Sequence, residues 1–282
     1  MNYRILFFFL IPLLSFSQDD LLSEIDSDSI GIQYESATFK GLKIVNFEST
    51  KLVAHKELTF IVSHRFGTLK DGINTFFGLD NAVTRLNFVY GITDGINIGI
   101  SRSSGVKVYD ITFKYIIAKQ VKNGFPFTIV GFNALIFDTG LSDDIYPLLE
   151  FKDRMGYTSQ ILIARKINTN LSLQLSPTVF HDNFVVTDEQ NNTQYALGIG
   201  GRYKLNKRWS LNLDYGLHLN RADTSPFKNP LSIGFDLETG GHVFQMHLTN
   251  AQQMYTNGFL GQGAGDWGDG NIFFGFNLSR RF

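Results

Sequence analysis

Apolar and polar side chains alternate along most of the chain. In the segment 207–217, Trp209 and Leu211 share one phase of the alternation, and Ser210 and Asn212 share the other. A period of two places alternate side chains on opposite faces of a β-strand. The pattern therefore predicts an all-β protein whose strands each have one apolar face and one polar face.

Twelve segments follow this alternation, and the length of each is close to what a tilted strand needs to cross a membrane, about ten residues. The segments are 57–66, 82–91, 94–103, 107–117, 125–134, 156–166, 169–178, 194–204, 207–217, 231–237, 242–249 and 271–282. Their polar faces carry Gly, Ser, Asn and isolated charges. Their apolar faces end in aromatic residues, as the girdles at membrane interfaces do.

The connections between these segments alternate between short and long, with 104–106 as the one short exception. The long connections are 67–81, 135–155, 181–192, 218–229 and 249–270. If both termini are periplasmic, every long connection lies outside, which is the asymmetry of outer-membrane barrels. A soluble β-sandwich has no reason to segregate its loops. We therefore predict a closed antiparallel transmembrane β-barrel with up-and-down topology over residues 57–282.

The N-terminus predicts export. Arg4 precedes the apolar run Ile5–Leu14, which is shorter than the roughly 20 residues of a spanning helix, and small residues follow it. We interpret residues 1–17 as a signal peptide and expect the mature chain in the outer membrane. Residues 18–56 begin with an acidic stretch and have no clear period. They form either a periplasmic leader or a plug.

Composition restricts the chemistry. The net charge is −1, which offers no basic field for nucleic acid, and the absence of cysteine excludes disulfides and thiol chemistry. Charged residues are 18% of the chain, below the usual ~25% of soluble domains, while aromatic residues reach 14%. That mixture fits a wall with one apolar and one polar face. We expect no cofactor and no metal ion.

A set of short motifs resembles a known family. They are SHRFG (Ser63–Gly67), NTFFGLDNA (Asn74–Ala82), YGITD (Tyr90–Asp94), SRSS (Ser101–Ser104), LSLQLSP (Leu171–Pro177), FQMHLTNAQ (Phe244–Gln252) and FGFNLSRRF (Phe274–Phe282). Together they resemble the uncharacterised envelope β-barrel family catalogued as domain of unknown function 5777, from about residue 40 to the C-terminus. The resemblance implies a barrel of unknown role and brings no catalytic residues.

The polar faces of the predicted strands collect charges that would face the barrel lumen. These candidates are Arg65, Arg85, Asp110, Lys114, Arg202, Lys204, Asp214 and Asp236, together with His247. One interpretation is a salt-bridge network, because unpaired charges inside a narrow barrel are costly. The other is a solute path or binding site of mixed polarity.

Three further patterns have competing interpretations. If the turn 238–240 places residue 232 opposite about 246, Ser232 and His247 lie near each other. A nucleophile with a base within hydrogen-bond reach is the minimum for acyl transfer. No third residue that would orient the histidine is evident. The segment 250–259 has no period of two and forms either an external loop or an inward constriction.

The glycine-rich segment GAGDWG (Gly263–Gly268) has the spacing of a dinucleotide loop, but no helix follows it. Asp266 and Asp269 lie in the same segment without the twelve-residue spacing of a calcium loop. A flexible external loop is the simpler interpretation of both features.

The last strand ends on the final residue, Phe282, in phase with Phe274, Phe276 and Leu278. A terminal aromatic residue in this phase resembles the signal read by the outer-membrane assembly machinery, although Arg280 replaces the usual apolar residue. The expected partners are that machinery, outer-membrane lipid and a small solute.

The leading functional hypothesis is a small pore or a solute-binding transport barrel of unknown substrate. The alternatives are a non-conducting structural barrel that docks partner proteins and a lipid-active hydrolase. We expect no enzymatic activity.

Overall fold

Twelve antiparallel β-strands close into one barrel. The structure, a computed structural model, describes residues 32–282 except 186 and 188. The strands are β1 Leu58–Thr68, β2 Ala82–Thr93, β3 Ile96–Ser103, β4 Val108–Ala118, β5 Thr128–Asp138, β6 Met155–Lys166, β7 Leu171–Asp182, β8 Thr193–Lys204, β9 Trp209–His218, β10 Leu231–Thr239, β11 His242–Thr249 and β12 Phe273–Arg281. Each strand pairs with its chain neighbours, and β1 pairs with β12. The predicted closed, up-and-down barrel is confirmed. The predicted signal peptide lies outside the described residues.

Closure of the barrel pairs the backbone hydrogen-bonding groups of every strand, and the apolar faces of the strands point outward. Because every strand has a partner on both sides, the sheet leaves no open edge, which the membrane interior requires. In β9 the side chains of Ser210, Asn212 and Asp214 are buried inside, whereas Leu213 on the opposite face is exposed to the surroundings of the barrel. Within the described residues, no helix combines the length and apolarity needed to span a membrane.

The two ends of the barrel differ. At the end that holds both Leu58 and Phe282, the turns are mostly short: 94–95, 119–127, 167–170, 205–208 and 240–241. At the opposite end the connections are mostly long: 69–81, 139–154, 183–192, 219–230 and 250–272, with 104–107 as the short exception. We name these the inner end and the outer end, after the asymmetry of outer-membrane barrels.

Strand β5 differs from its prediction. It was expected over 125–134 but covers Thr128–Asp138, because it is apolar on both faces and its alternation is hidden. Val130, Phe132 and Ile136 face inward and form a buried apolar cluster with Tyr255. The barrel interior is therefore partly apolar, and the inward apolar face of β5 packs against chain that lies inside the barrel.

The interior is filled from both ends. From the inner end enters the plug segment, residues 34–56, in which every residue from 39 to 50 is buried. Its tip is a tight turn closed by a hydrogen bond from the Ile44 N–H to the Phe47 carbonyl at 2.8 Å. From the outer end enters the short helix α1, Thr256–Gly261, so the segment 250–259 folds inward. The rings of Phe47 and Phe259 meet edge to face, with centroids 4.9 Å apart.

Candidate functional site: the barrel interior

The carboxylate of Asp214 holds the tip of the plug segment. Its Oδ2 atom accepts the backbone N–H groups of Val45, Asn46 and Phe47 at 3.0, 2.7 and 3.1 Å. Asp214 lies on the inward face of β9 and is almost completely buried. Three successive N–H groups converging on one anion form a nest, and hydrogen bonds to a charged acceptor are stronger than neutral ones.

The side chain of Asn46 fixes the same tip to neighbouring strands of the wall. Its Nδ2 donates to Ser232 Oγ at 3.0 Å and to Thr249 Oγ1 at 3.1 Å, while its Oδ1 accepts from Arg65 Nη2 at 2.9 Å. Arg65 also donates to Asn277 Oδ1 at 3.2 Å. All three partners of Asn46 come from barrel strands, so a single plug side chain is bonded to β1, β10 and β11.

A buried ionic triad lies beside the tip. The carboxylate of Glu48, in the plug, forms salt bridges with Lys43 Nζ at 2.7 Å and with Lys114 Nζ, from β4, at 2.8 Å. Burial alone would raise the pKa of the Glu48 carboxyl, but the ammonium groups of Lys114 and Lys43 outweigh burial and hold its pKa at about 2. Glu48 is therefore ionised at neutral and mildly acidic pH, and Lys114 links the plug to the barrel wall.

A second buried ion pair anchors the loop that enters from the outer end. Arg85 Nη2 donates to Asp110 Oδ1 at 2.9 Å, and Ser101 Oγ donates to Asp110 Oδ2 at 2.6 Å. Arg85 also donates to the backbone carbonyl of Met254, two residues before α1. On α1 itself, Asn257 donates to the Asp182 carboxylate at 2.6 Å.

The remaining lumenal candidates lie in different places. Asp236 accepts from Gln245 Nε2 at 3.0 Å, and the same amide donates to the carbonyl of Lys43 in the plug at 3.1 Å. Arg202 donates to the carbonyls of Ala37 and Thr38 at 2.8 and 3.0 Å. Lys204 is only half-buried and lies at the inner rim.

Seven of the nine candidates therefore lie in the networks just described, and all seven reach the plug or the inward loop through direct hydrogen bonds or one intervening side chain. They are Arg65, Arg85, Asp110, Lys114, Arg202, Asp214 and Asp236. His247 is buried, and neither ring nitrogen has a hydrogen-bond partner among the described residues.

The expected neighbourhood of Ser232 and His247 was wrong in register. Ser232 pairs with Thr249 across β10 and β11, and His247 pairs with Gly234. Ser232 Oγ is bonded to Thr249 Oγ1 at 2.9 Å rather than to a histidine. The turn between the strands is two residues, 240–241, instead of the three assumed, and β10 continues to Thr239, which shifts the pairing by about three residues.

An enclosed pocket of about 250 Å³ opens among the outer loops, above α1. Its walls include Phe184, Phe227 and Tyr255, and the carboxylates of Asp138 and Asp182 also line it. Sequence reasoning did not identify this pocket, because its residues come from four separate loops and strand ends. The described residues contain no cluster of three potential metal ligands. Asp269 is instead paired with Lys70 at 2.9 Å, which lowers the pKa of its exposed carboxyl.

Inward glycines make room for the plug. A Cβ atom at Gly198 would lie 2.3 Å from the Phe47 ring, and one at Gly200 would lie 2.5 Å from Ile44. Such distances are far below van der Waals contact, so only glycine fits beneath these plug side chains. Glycines at alternate positions on a lumenal face are a sequence signal of occupied space, but on their own they do not identify what occupies it.

The family model for "Membrane bound beta barrel domain (DUF5777)" matches residues 39–282. The chain belongs to this family. The match begins at Phe39, so it includes the buried part of the plug segment together with the whole barrel. A closed barrel with an even number of strands is the outer-membrane type, and this member of the family is an outer-membrane β-barrel.

Solved structures with a similar fold are porins. The KdgM porin has a TM-score of 0.50 at 8% identity, with 80% of this chain and 99% of that chain covered. The KdgM porin in complex with disordered oligogalacturonate gives 0.50 at 9% identity, with 80% and 99% covered. The NanC porin gives 0.49 at 10% identity, with 79% and 97% covered. No curated protein matches the sequence. At these identities the similarity concerns the fold.

Proposed function

We propose that this chain is a solute-binding transport barrel whose pore is closed at rest by its own plug segment. The observation that carries the proposal is the set of contacts between the plug and the lumenal charges, above all the Asp214 nest. Narrow barrels are ordinarily filled by side chains of their own strands. Here a separate stretch of chain occupies the lumen, and its displacement would break no pairing between barrel strands.

The outer pocket is our candidate for the site that receives the solute. It is enclosed, it combines aromatic walls with a few polar groups, and it lies above α1, as binding sites in barrel mouths commonly do. Its 250 Å³ volume limits the solute to a small molecule. The KdgM porin, with the same fold, was solved with a disordered oligosaccharide, and that finding supports a small solute as the class of cargo.

The alternatives receive less support. A docking barrel would account for the long outer loops but leaves the elaborate attachment of the plug without a purpose. A hydrolase has no geometric support, since Ser232 is bonded to Thr249 and Asn46 and not to a general base. We therefore infer that the chain has no enzymatic activity.

The absence of cysteine allows a direct test of the plug. Asn46 Nδ2 and Ser232 Oγ are 3.0 Å apart, so the two side chains face each other, and cysteines at both positions would place one thiol on the plug and one on the facing wall. We expect the double variant N46C/S232C, when oxidised, to show no openings in planar bilayers and no solute uptake into liposomes. Reduction should restore openings, because the plug is then held only by non-covalent contacts.

The single variants N46C and S232C are the matched controls and should be insensitive to oxidation. Equal conductance of the oxidised and reduced double variant would contradict a plug in the path. Absence of conductance in every reduced form, including one with the Asp214 nest removed, would contradict transport and favour the docking barrel.

We also propose that Phe282 and its in-phase neighbours serve assembly. The Cζ atom of Arg280 lies 4.7 Å from the centroid of the Phe282 ring, which is a cation–π contact. This contact places the charge of Arg280 at the inner end of the barrel, beside the membrane interface. Deletion of Phe282 should reduce the amount of folded barrel in the outer membrane several-fold, measured by heat-modifiable migration. R280L should leave insertion unchanged, and a defect as large as that of the deletion would contradict an auxiliary role for Arg280.

A further inference from the structure

A basin of about 530 Å³ opens at the inner end of the barrel, between the start of the plug segment and the rims of β4, β8 and β10. Its charged lining residues are Lys40, Lys51, Lys119, Arg202 and Lys204, with Glu35 and Glu238. Five cations therefore face two carboxylates in one concave space. Neither the lumenal networks nor the outer pocket uses this volume.

Both carboxylates of the basin are already paired. Glu35 binds Lys166 at 3.0 Å, and Glu238 binds Lys40. Among the residues that the structure describes, no carboxylate lies within salt-bridge distance of the four remaining cations, which are Lys51, Lys119, Arg202 and Lys204. Like charges gathered in a concave space with low-dielectric walls repel one another and raise the local concentration of counter-ions.

Arg202 adds an observation that is independent of the charge count. It is 5% exposed, and its two hydrogen bonds from Nη1 go to the carbonyls of Ala37 and Thr38. Its Nε is buried without a partner in the described part of the chain. Its guanidinium donates only to neutral acceptors, and the nearby carboxylates of Asp236 and Glu238 lie beyond salt-bridge distance, so it lacks the direct carboxylate or phosphate contact that its planar donors fit best.

We propose that this basin binds a small multivalent anion that carries carboxylate or phosphate groups and enters from the inner end. The volume lies within the range of small-molecule sites, about 300–1,000 Å³. The anion would contact the plug through Lys51 and the wall through Arg202, Lys119 and Lys204, and so would bridge the two. This site is distinct from the outer pocket, which lies at the opposite end of the barrel.

Calorimetric titration of the purified full-length barrel with citrate and with pyrophosphate tests the site. We expect saturable binding at low salt that weakens as ionic strength rises. The variant K119Q/K204Q should bind about tenfold more weakly, the equivalent of two lost ion pairs. The matched variant K107Q/K152Q removes two positive charges at the outer end and should bind as the wild type does. Absence of saturable binding at low salt, or equal weakening in both variants, would overturn the proposal.

Nanodiscs then distinguish a free anion from a lipid headgroup. If an anionic phospholipid supplies the phosphate, citrate should compete less well in discs containing phosphatidylglycerol than in phosphatidylcholine discs, and only when Lys119 and Lys204 are present. If the anion is soluble, the two disc types should give the same difference between wild type and K119Q/K204Q. Conductance is not part of either measurement, so the result is independent of the transport proposal.

Discussion

Replacement of Asp214 by alanine should release the tip of the plug segment. Three backbone N–H groups lose their only charged acceptor, and each such hydrogen bond contributes about 1.5–3 kcal/mol. If the substitution lowers the free energy of local opening by only about 3 kcal/mol, amide exchange of Val45, Asn46 and Phe47 should accelerate by about 100-fold. Hydrogen–deuterium exchange of the peptide that covers residues 42–50 measures this directly.

Asn212 supplies the control for this experiment. It lies two residues before Asp214 on the same buried face, and its side chain makes no hydrogen bond to the described residues of the plug segment. N212A should therefore leave exchange of the plug tip close to that of the wild type. D214N keeps one acceptor oxygen and should give an intermediate rate. Unchanged exchange of residues 42–50 in D214A would contradict the role of the nest, even if the melting temperature fell.

The sequence predicted the wall of this protein well because the wall obeys a local rule. An alternating strand needs only its own residues to determine which side chains face the membrane, so β9 could be read from Trp209 to His218 without knowledge of its partners. The rule failed at β5, where Val130 and Phe132 point inward among apolar neighbours. Apolar residues in both phases indicated that the interior of the barrel contains something apolar at that point.

The contents of the lumen were less accessible to sequence reasoning because they depend on contacts between distant residues. Asn46 and Ser232 are separated by 186 positions, and the local pattern of residues 30–56 does not indicate that their side chains are in contact. The plug is attached mainly through its backbone, as at Asp214, and backbone groups leave no trace in the sequence. The charges on the wall were visible in the sequence, but their partners were not, so the sequence left both a structural network and a solute path open.

Replacement of Glu48 by glutamine should produce the largest loss of stability. The substitution leaves the ammonium groups of Lys43 and Lys114 buried without a counter-charge, and removal of one partner from a buried ionic group costs about 3–5 kcal/mol. The exposed pair of Lys70 and Asp269 offers the comparison, since solvent screens it and D269N should leave the free energy of unfolding close to that of the wild type. Urea unfolding in detergent, followed by tryptophan fluorescence, measures both variants.

The double variant E48Q/K114M tests whether unpaired charge is the cause of the loss. It removes one of the two ammonium groups that E48Q leaves unpaired, so it should be more stable than E48Q alone, although it carries an additional substitution.

The pH dependence of stability supplies a second test of the role of Glu48. The pKa of Glu48 falls from 4.5 to about 2 in the folded barrel, so its contribution is complete above about pH 4.5 and is lost as the pH falls toward 2. E48Q should therefore lose less stability than the wild type between pH 4.5 and 2. Parallel pH profiles of the two proteins would show that Glu48 does not hold the plug through its charge.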